Sequence, residues 1–182
     1  MKATTNPRSC LAAAVLLALS GLLAGCGGKG PQTLATLTFD GPAGLLELDP
    51  DAVLEDGPDG GVLRIDTQQP RLLVNLCETE GPRGDVETIA VDARLRGELL
   101  KNDIFLDLWV FPRDGEPRLV RTGLPAISRT IPWTDVAVRV PLKAAERPGK
   151  LRVSIYTDGP GRFWVDDVVV RAGRAADLAG GR

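Results

Sequence analysis

Apolar and polar residues alternate with a period of two through most of this chain. Leu63, Ile65 and Thr67 share one side of residues 61–67, with Val62, Arg64 and Asp66 on the other. Leu72, Val74 and Leu76 repeat the pattern, as do Ile89, Val91, Ala93 and Leu95, and then Ile104, Leu106, Leu108 and Val110. Val136, Val138, Val140 and Leu142 form another set, Leu151, Val153 and Ile155 another, and Phe163 to Arg171 the last. Successive side chains on a strand face opposite ways, so each set predicts a strand with one buried face. Leu34 to Asp40 predicts a first strand, closed by Gly41-Pro42; Leu119 to Arg121 predicts a short one. Residues 44–60 carry only apolar fragments, broken by turn chemistry at Asp49-Pro50-Asp51 and Asp56-Gly57-Pro58-Asp59-Gly60-Gly61. About eight to ten short strands with Gly, Pro and Asp between them predict an all-β fold, an antiparallel two-sheet β-sandwich.

The N-terminal segment breaks this pattern. Lys2 and Arg8 precede an unbroken apolar run from Leu11 to Leu19, and beyond it Ser20, Gly21 and Gly25 lower the hydrophobicity. The run is shorter than the roughly 20 residues a membrane-spanning helix needs. The segment ends at Leu23-Ala24-Gly25-Cys26, which resembles the lipobox of bacterial lipoproteins. That resemblance implies a signal over 1–25, cleavage before Cys26 and lipidation of its thiol. It also implies attachment to a membrane of the cell envelope, with Gly27 favouring the outer one. Residues 26–33 read as a flexible tether, 34–172 as one domain and 173–182 as a disordered tail.

Charge and composition then narrow the function. Loss of Lys2 and Arg8 with the signal would leave 20 cations against 24 anions, a net charge of −4 in place of −2. An acidic balance without a basic cluster predicts no nucleic-acid partner. The chain has no His, which excludes Ser-His-Asp and Cys-His catalysis and an ordinary zinc site. Cys10 leaves with the signal and Cys26 takes lipid, so Cys77 stands alone, expected at a strand end as a small inert residue.

The second half of the chain resembles the jelly-roll, galactose-binding-like domains that include many carbohydrate-binding modules. The residues that carry the resemblance are Trp133-Thr134-Asp135-Val136, the strand Leu151 to Tyr156, and Gly161-Arg162-Phe163-Trp164-Val165-Asp166-Asp167-Val168, with Phe39-Asp40 near the start. It spans roughly 34–172 and departs from sugar-binding members in having few loop aromatics, Asn or Gln. Strand parity places Trp164, Asp166, Val168 and Val170 on one face and separates Asp166 from Asp167, so the two would not act as a carboxylate pair. In resembling modules the equivalent of Asp166 often ligates a structural calcium, and Asp40 would be its companion here. The alternative is an Asp166 satisfied by hydrogen bonds alone.

On the strand through 103–111 the aliphatic side is complete in itself. That leaves Phe105, Asp107, Trp109 and Phe111 on the opposite face. Parity turns Arg152 and Tyr156 outward on their strand, and Asp92 and Arg94 on theirs. Aromatic rings flanked by Asp and Arg suit a sugar, whose C–H face stacks while its hydroxyls take charged hydrogen bonds. The alternative is that the 122–132 loop or the chain around 44–60 covers this face. Trp133 and Trp164 are expected in core and edge packing. A non-catalytic lipoprotein holding a glycan or another envelope polymer is thus one reading; a structural lipoprotein that meets an envelope protein is the other. An enzyme is not expected, although Asp92 and Asp107 are the carboxylates a glycosidase would have to use.

Overall fold

The computed structural model describes residues 30–42, 45–46, 49–57, 60–124, 129–143 and 146–179. The expected signal at 1–25, the expected lipidation site Cys26 and residues 27–29 of the expected tether lie outside the described residues. Within the described residues ten strands and one helical turn run in order: β1 Gln32–Leu37, β2 Ala52–Gly57, β3 Gly60–Thr67, β4 Leu72–Glu80, β5 Thr88–Glu98, β6 Ile104–Pro112, β7 Arg118–Leu124, β8 Ile131–Pro141, β9 Pro148–Thr157, β10 Gly161–Gly173 and α1 Ala175–Leu178. All strand pairings among them are antiparallel.

The strands divide into two sheets. One has the order β2-β3-β10-β5-β8, with β1 also on β10; the other has the order β4-β9-β6-β7. β10 is the hub of the larger sheet. β5 lies along one of its edges, while β3 and β1 share the other, β3 beside Gly161–Val165 and β1 beside Val168–Ala172. From β4 onward the chain crosses repeatedly between sheets, and their inner faces form one core. The expected inward sets hold. Ile89, Val91, Ala93 and Leu95 are buried opposite Ile104, Leu106, Leu108 and Val110, with Val136, Val138, Val140, Leu151, Val153 and Ile155. Each such side chain contributes about 1.5–3 kcal/mol when withdrawn from water, and among the described residues no disulfide supplements the core.

Several sequence expectations are corrected. The first strand starts at Gln32 and ends at Leu37, earlier than 34–40, because pairing with β10 sets its limits. The fragments within 44–60 yield a full strand, β2, through its ladder with β3. β4 runs on to Glu80, and Cys77 lies within it. A bulge between Asn75 and Cys77 turns both Leu76 and Cys77 inward. Burial pushes the Cys77 thiol up to about 11, so it stays protonated and inert. The expected disordered tail begins with Gly173 still in β10 and continues into α1, whose Leu178 is buried near Gly173.

The largest departure is on β10. Its register shifts between Asp166 and Val169, and Asp167 adopts a left-handed φ of 52°. The bulge absorbs a residue and reverses the parity beyond it. Phe163 and Val165 point into the core before it; Val168, Val170 and Ala172 point into the core after it. Trp164 and Asp166 therefore do not share a face with Val168 and Val170.

Candidate functional site

The outer face of the four-stranded sheet gathers all six residues expected to bind a ligand. Register aligns them in cross-strand rows. Tyr156 lies beside Phe105 and Gly123; Ser154 beside Asp107 and Arg121; Arg152 beside Trp109 and Leu119; Lys150 beside Phe111. β4 completes the rows with Leu73, Asn75, Glu78 and Glu80. Directly opposite residues in an antiparallel pair project to the same side, so these side chains form one continuous surface.

Two aromatic pairs flank a polar centre. The rings of Phe105 and Tyr156 are 5.9 Å apart and tilted; those of Trp109 and Phe111 are 6.3 Å apart and stacked. Phe105 owes its position to Gly123, where a Cβ would come within 2.7 Å of the ring. All four aromatics are partly buried. Between the pairs, Asn75 accepts a 2.9 Å hydrogen bond from Ser154, and Arg121 donates to both oxygens of Asp107 at 2.6 and 2.7 Å.

Asp107 was expected to present its carboxylate outward to a ligand. It projects from the expected face but is 1% exposed, because Arg121 lies over it. A buried carboxylate without a partner is costly, and the planar guanidinium fork supplies both hydrogen bonds that it requires. Arg121, which sequence reasoning missed, also stands 4.9 Å from the Phe105 ring and 4.2 Å from that of Tyr156. The Asp107 carboxylate raises its already high pKa against the opposing effect of burial. Its signal was parity with Leu119 and Gly123 in the weakly patterned stretch 118–124.

The lower part of the face is also cross-linked. Glu78 accepts from Arg152 at 2.6 Å and from Lys150 at 2.9 Å, and both cations lie within 5.4 Å of the Phe111 ring. Lys150 first, and then Arg152, holds the Glu78 carboxyl below its ordinary range. Parts of the two stretches that could have covered this face belong to strands instead. Residues 122–124 continue β7 at the sheet edge, 131–132 open β8 in the other sheet, and 52–57 form β2 there. The Leu46 N–H donates to the Leu76 carbonyl of β4, and residues 44, 47–48, 58–59 and 125–128 fall outside the described residues.

The remaining candidates lie elsewhere. Asp92 and Arg94 are on β5, so they face outward from the opposite sheet and do not join these aromatics. Asp92 is held by Arg139 at 2.6 Å and Arg171 at 2.5 Å. Asp92 and Asp107 are thus on opposite outer faces and cannot flank one bond. Trp133 and Trp164 also face outward from the larger sheet, partly buried, beneath Arg94 at 5.1 Å and Arg96 at 4.6 Å.

Asp40 and Asp166, the expected calcium ligands, are differently engaged. Asp40 accepts the Gly61 N–H at 2.8 Å, which with the Thr38 side chain lowers its pKa. Asp166 accepts the Asp167 N–H at 2.6 Å. The bulge brings Asp166 and Asp167 to one guanidinium, with Arg94 Nη1 at 3.7 and 3.6 Å, against the expectation that they would be separated. Calcium takes six to eight oxygens. Among the described residues no three acidic, His or Cys side chains converge, and Arg94 already supplies the positive charge.

No protein family matches the sequence, and no curated protein matches it. Among solved structures, the chain is similar to a "Family 16 Carbohydrate Binding Module-2", with TM-score 0.53, 12% identity, 72% of this chain and 92% of that one covered. It is also similar to the CBM22-1 xylan-binding domain of Paenibacillus barcinonensis Xyn10C, with TM-score 0.52, 11% identity and coverage of 81% and 99%. An arabinose-bound α-L-arabinofuranosidase matches with TM-score 0.56 and 12% identity over 86% of this chain and 29% of that one. At such identities the likeness concerns the fold: a two-sheet antiparallel β-sandwich of the kind found in carbohydrate-binding modules.

Proposed function

We propose that this chain is a non-catalytic binding lipoprotein that holds a glycan on the outer face of its four-stranded sheet. The observation that carries the reading is the surface of two aromatic pairs, Phe105 with Tyr156 and Trp109 with Phe111, on either side of the Asp107–Arg121 centre. Rings offer a pyranose a stacking plane, and the fixed charges between them can orient its substituents. The xylan-binding role of one neighbour of similar fold agrees with this use. On this face Asp107 is covered by Arg121 and Glu78 is held by Lys150 and Arg152, so both carboxylates are engaged in ion pairs within the protein. The sequence Leu23-Ala24-Gly25-Cys26 supplies the anchor, placing the binder in the cell envelope and, through Gly27, at the outer membrane.

The test is affinity electrophoresis of the full chain through gels containing neutral and acidic polysaccharides in turn. At least one polymer should retard it, and Trp109→Ala should abolish the retardation. Unchanged mobility in every gel would overturn the glycan reading and favour an envelope protein as the partner.

A further inference from the structure

The polar groups of this face are layered. Asp107 is 1% exposed and Glu78 26%, whereas Arg121, Arg152 and Lys150 are 35%, 33% and 44% exposed. The acids lie below and the cations above them. Glu80 is exposed at the rim, at the end of β4.

The hydrogen bonding is equally one-sided. Arg121 spends Nε and Nη2 on the two oxygens of Asp107, which leaves its Nη1 group outside that fork. Arg152 spends Nε and Nη2 on one oxygen of Glu78, which leaves its Nη1 likewise, and Lys150 takes the other oxygen. Asn75 Oδ1 is taken by the Ser154 hydroxyl. The centre therefore turns N–H donors outward while its acceptors are already engaged. A sugar hydroxyl both donates and accepts, and this centre offers it chiefly donors. An ionised carboxylate only accepts, and a guanidinium edge is its geometric complement.

Resting on the glycan reading above, we infer that the ligand is an acidic polysaccharide whose uronate carboxylates meet Arg121 and Arg152 while a sugar ring stacks on Trp109. The charge is local: the chain as a whole carries −2, so attraction arises from this face and not from the molecule's overall field.

Titration calorimetry of the full chain with polygalacturonate, with the same polymer after carboxyl reduction, and with neutral xylan tests the inference. Polygalacturonate should bind, and high salt should weaken it. The reduced polymer and xylan should bind at least roughly tenfold more weakly, the loss expected when charged hydrogen bonds become neutral. Arg152→Gln should weaken uronate binding while Lys150 still pairs with Glu78, so the melting temperature should fall by no more than a few degrees. Because Arg121→Ala exposes the fold to an unpaired Asp107, the double variant Asp107→Asn/Arg121→Gln is the second probe and should also lose uronate binding. Equal affinity for the reduced polymer would overturn the acidic ligand and leave a neutral-glycan binder, and uronate binding that neither variant weakens would overturn its placement on Arg121 and Arg152. No heat with any polymer would overturn the glycan reading itself.

Discussion

Arg121 closes over Asp107 from the adjacent strand, so a buried carboxylate and an accessible guanidinium form a single two-point contact. The two partners are not equivalent. Removing the cation strands a charge away from water; removing the charge on the acid leaves a cation that water can still reach. Arg121→Ala should therefore cost about 3–5 kcal/mol, and Asp107→Asn closer to about 1–2. Asp107→Asn/Arg121→Gln should recover part of the larger loss. Urea unfolding of the three variants measures the asymmetry, and equal losses for the two single variants would contradict it.

Trp109 is partly buried, with one face on Phe111. Trp109→Ala should cost about 2–3 kcal/mol, below the roughly 3–5 typical of a fully buried Trp, because part of the ring still meets water. Thermal melts decide this: a loss near ~4 kcal/mol would make Trp109 a core residue and remove it from the binding surface.

Gly81 has no room for a side chain, since a Cβ would lie 1.8 Å from the Pro148 carbonyl oxygen; at Gly41 a Cβ would meet nothing within 4 Å. Gly81→Ala must displace the backbone where β4 meets β9, at about 2–3 kcal/mol or more, whereas Gly41→Ala should be within about 0.5 kcal/mol of the parent. Parallel denaturation curves compare them.

Acid should destabilise the fold. Glu78 is held below its ordinary value by Lys150 and then Arg152. At Asp92 burial pushes the carboxyl up, but hydrogen bonds from Arg171 and Arg139 outweigh it and the net direction is down. Folded values below the unfolded 4.5 and 3.8 mean that the unfolded chain binds more protons as pH falls. The stability these groups contribute is complete above the unfolded values and is lost as pH drops through the folded ones. Melting temperature should hold from neutrality to roughly pH 5 and then decline, with a shallower decline in Asp92→Asn. A flat profile down to about pH 2 would show that these pairs contribute nothing.

The proposed anchor rests on one thiol. Cys26→Ser should prevent incorporation of labelled palmitate and block the lipoprotein cut. Palmitate retained by the variant would remove the lipobox assignment.

Period-two alternation made most of the fold legible, because a strand buried on one face writes its register into every second residue. Ile104 to Val110 carries that record without interruption, and the aromatic face follows from it by parity. The departures come where register slips. The bulges at Asn75–Cys77 and Asp166–Val169 insert a residue that no local pattern announces, so the inward turn of adjacent Leu76 and Cys77, and the parting of Trp164 and Asp166 from Val168 and Val170, were not legible. The true neighbour of Asp107 was hidden for another reason. Arg121 reaches it only through the β6–β7 pairing, and its own strand alternates too weakly to announce a face. β2 similarly becomes a strand only because β3 offers it an edge.

The position of β10 in the chain bears on how the molecule comes into being. Leu37 pairs with Val168, and both Leu63 and Leu95 pair with Val165. Whether emerging from a ribosome or from an export pore, β1, β3 and β5 are delivered well before the strand that joins them. Until then the larger sheet has no middle, and loop closure for such distant pairs is slow. The β2–β3 and β5–β8 pairs and the four-stranded sheet need no part of β10, so the joining of the larger sheet is the one assembly step that waits for the tenth strand.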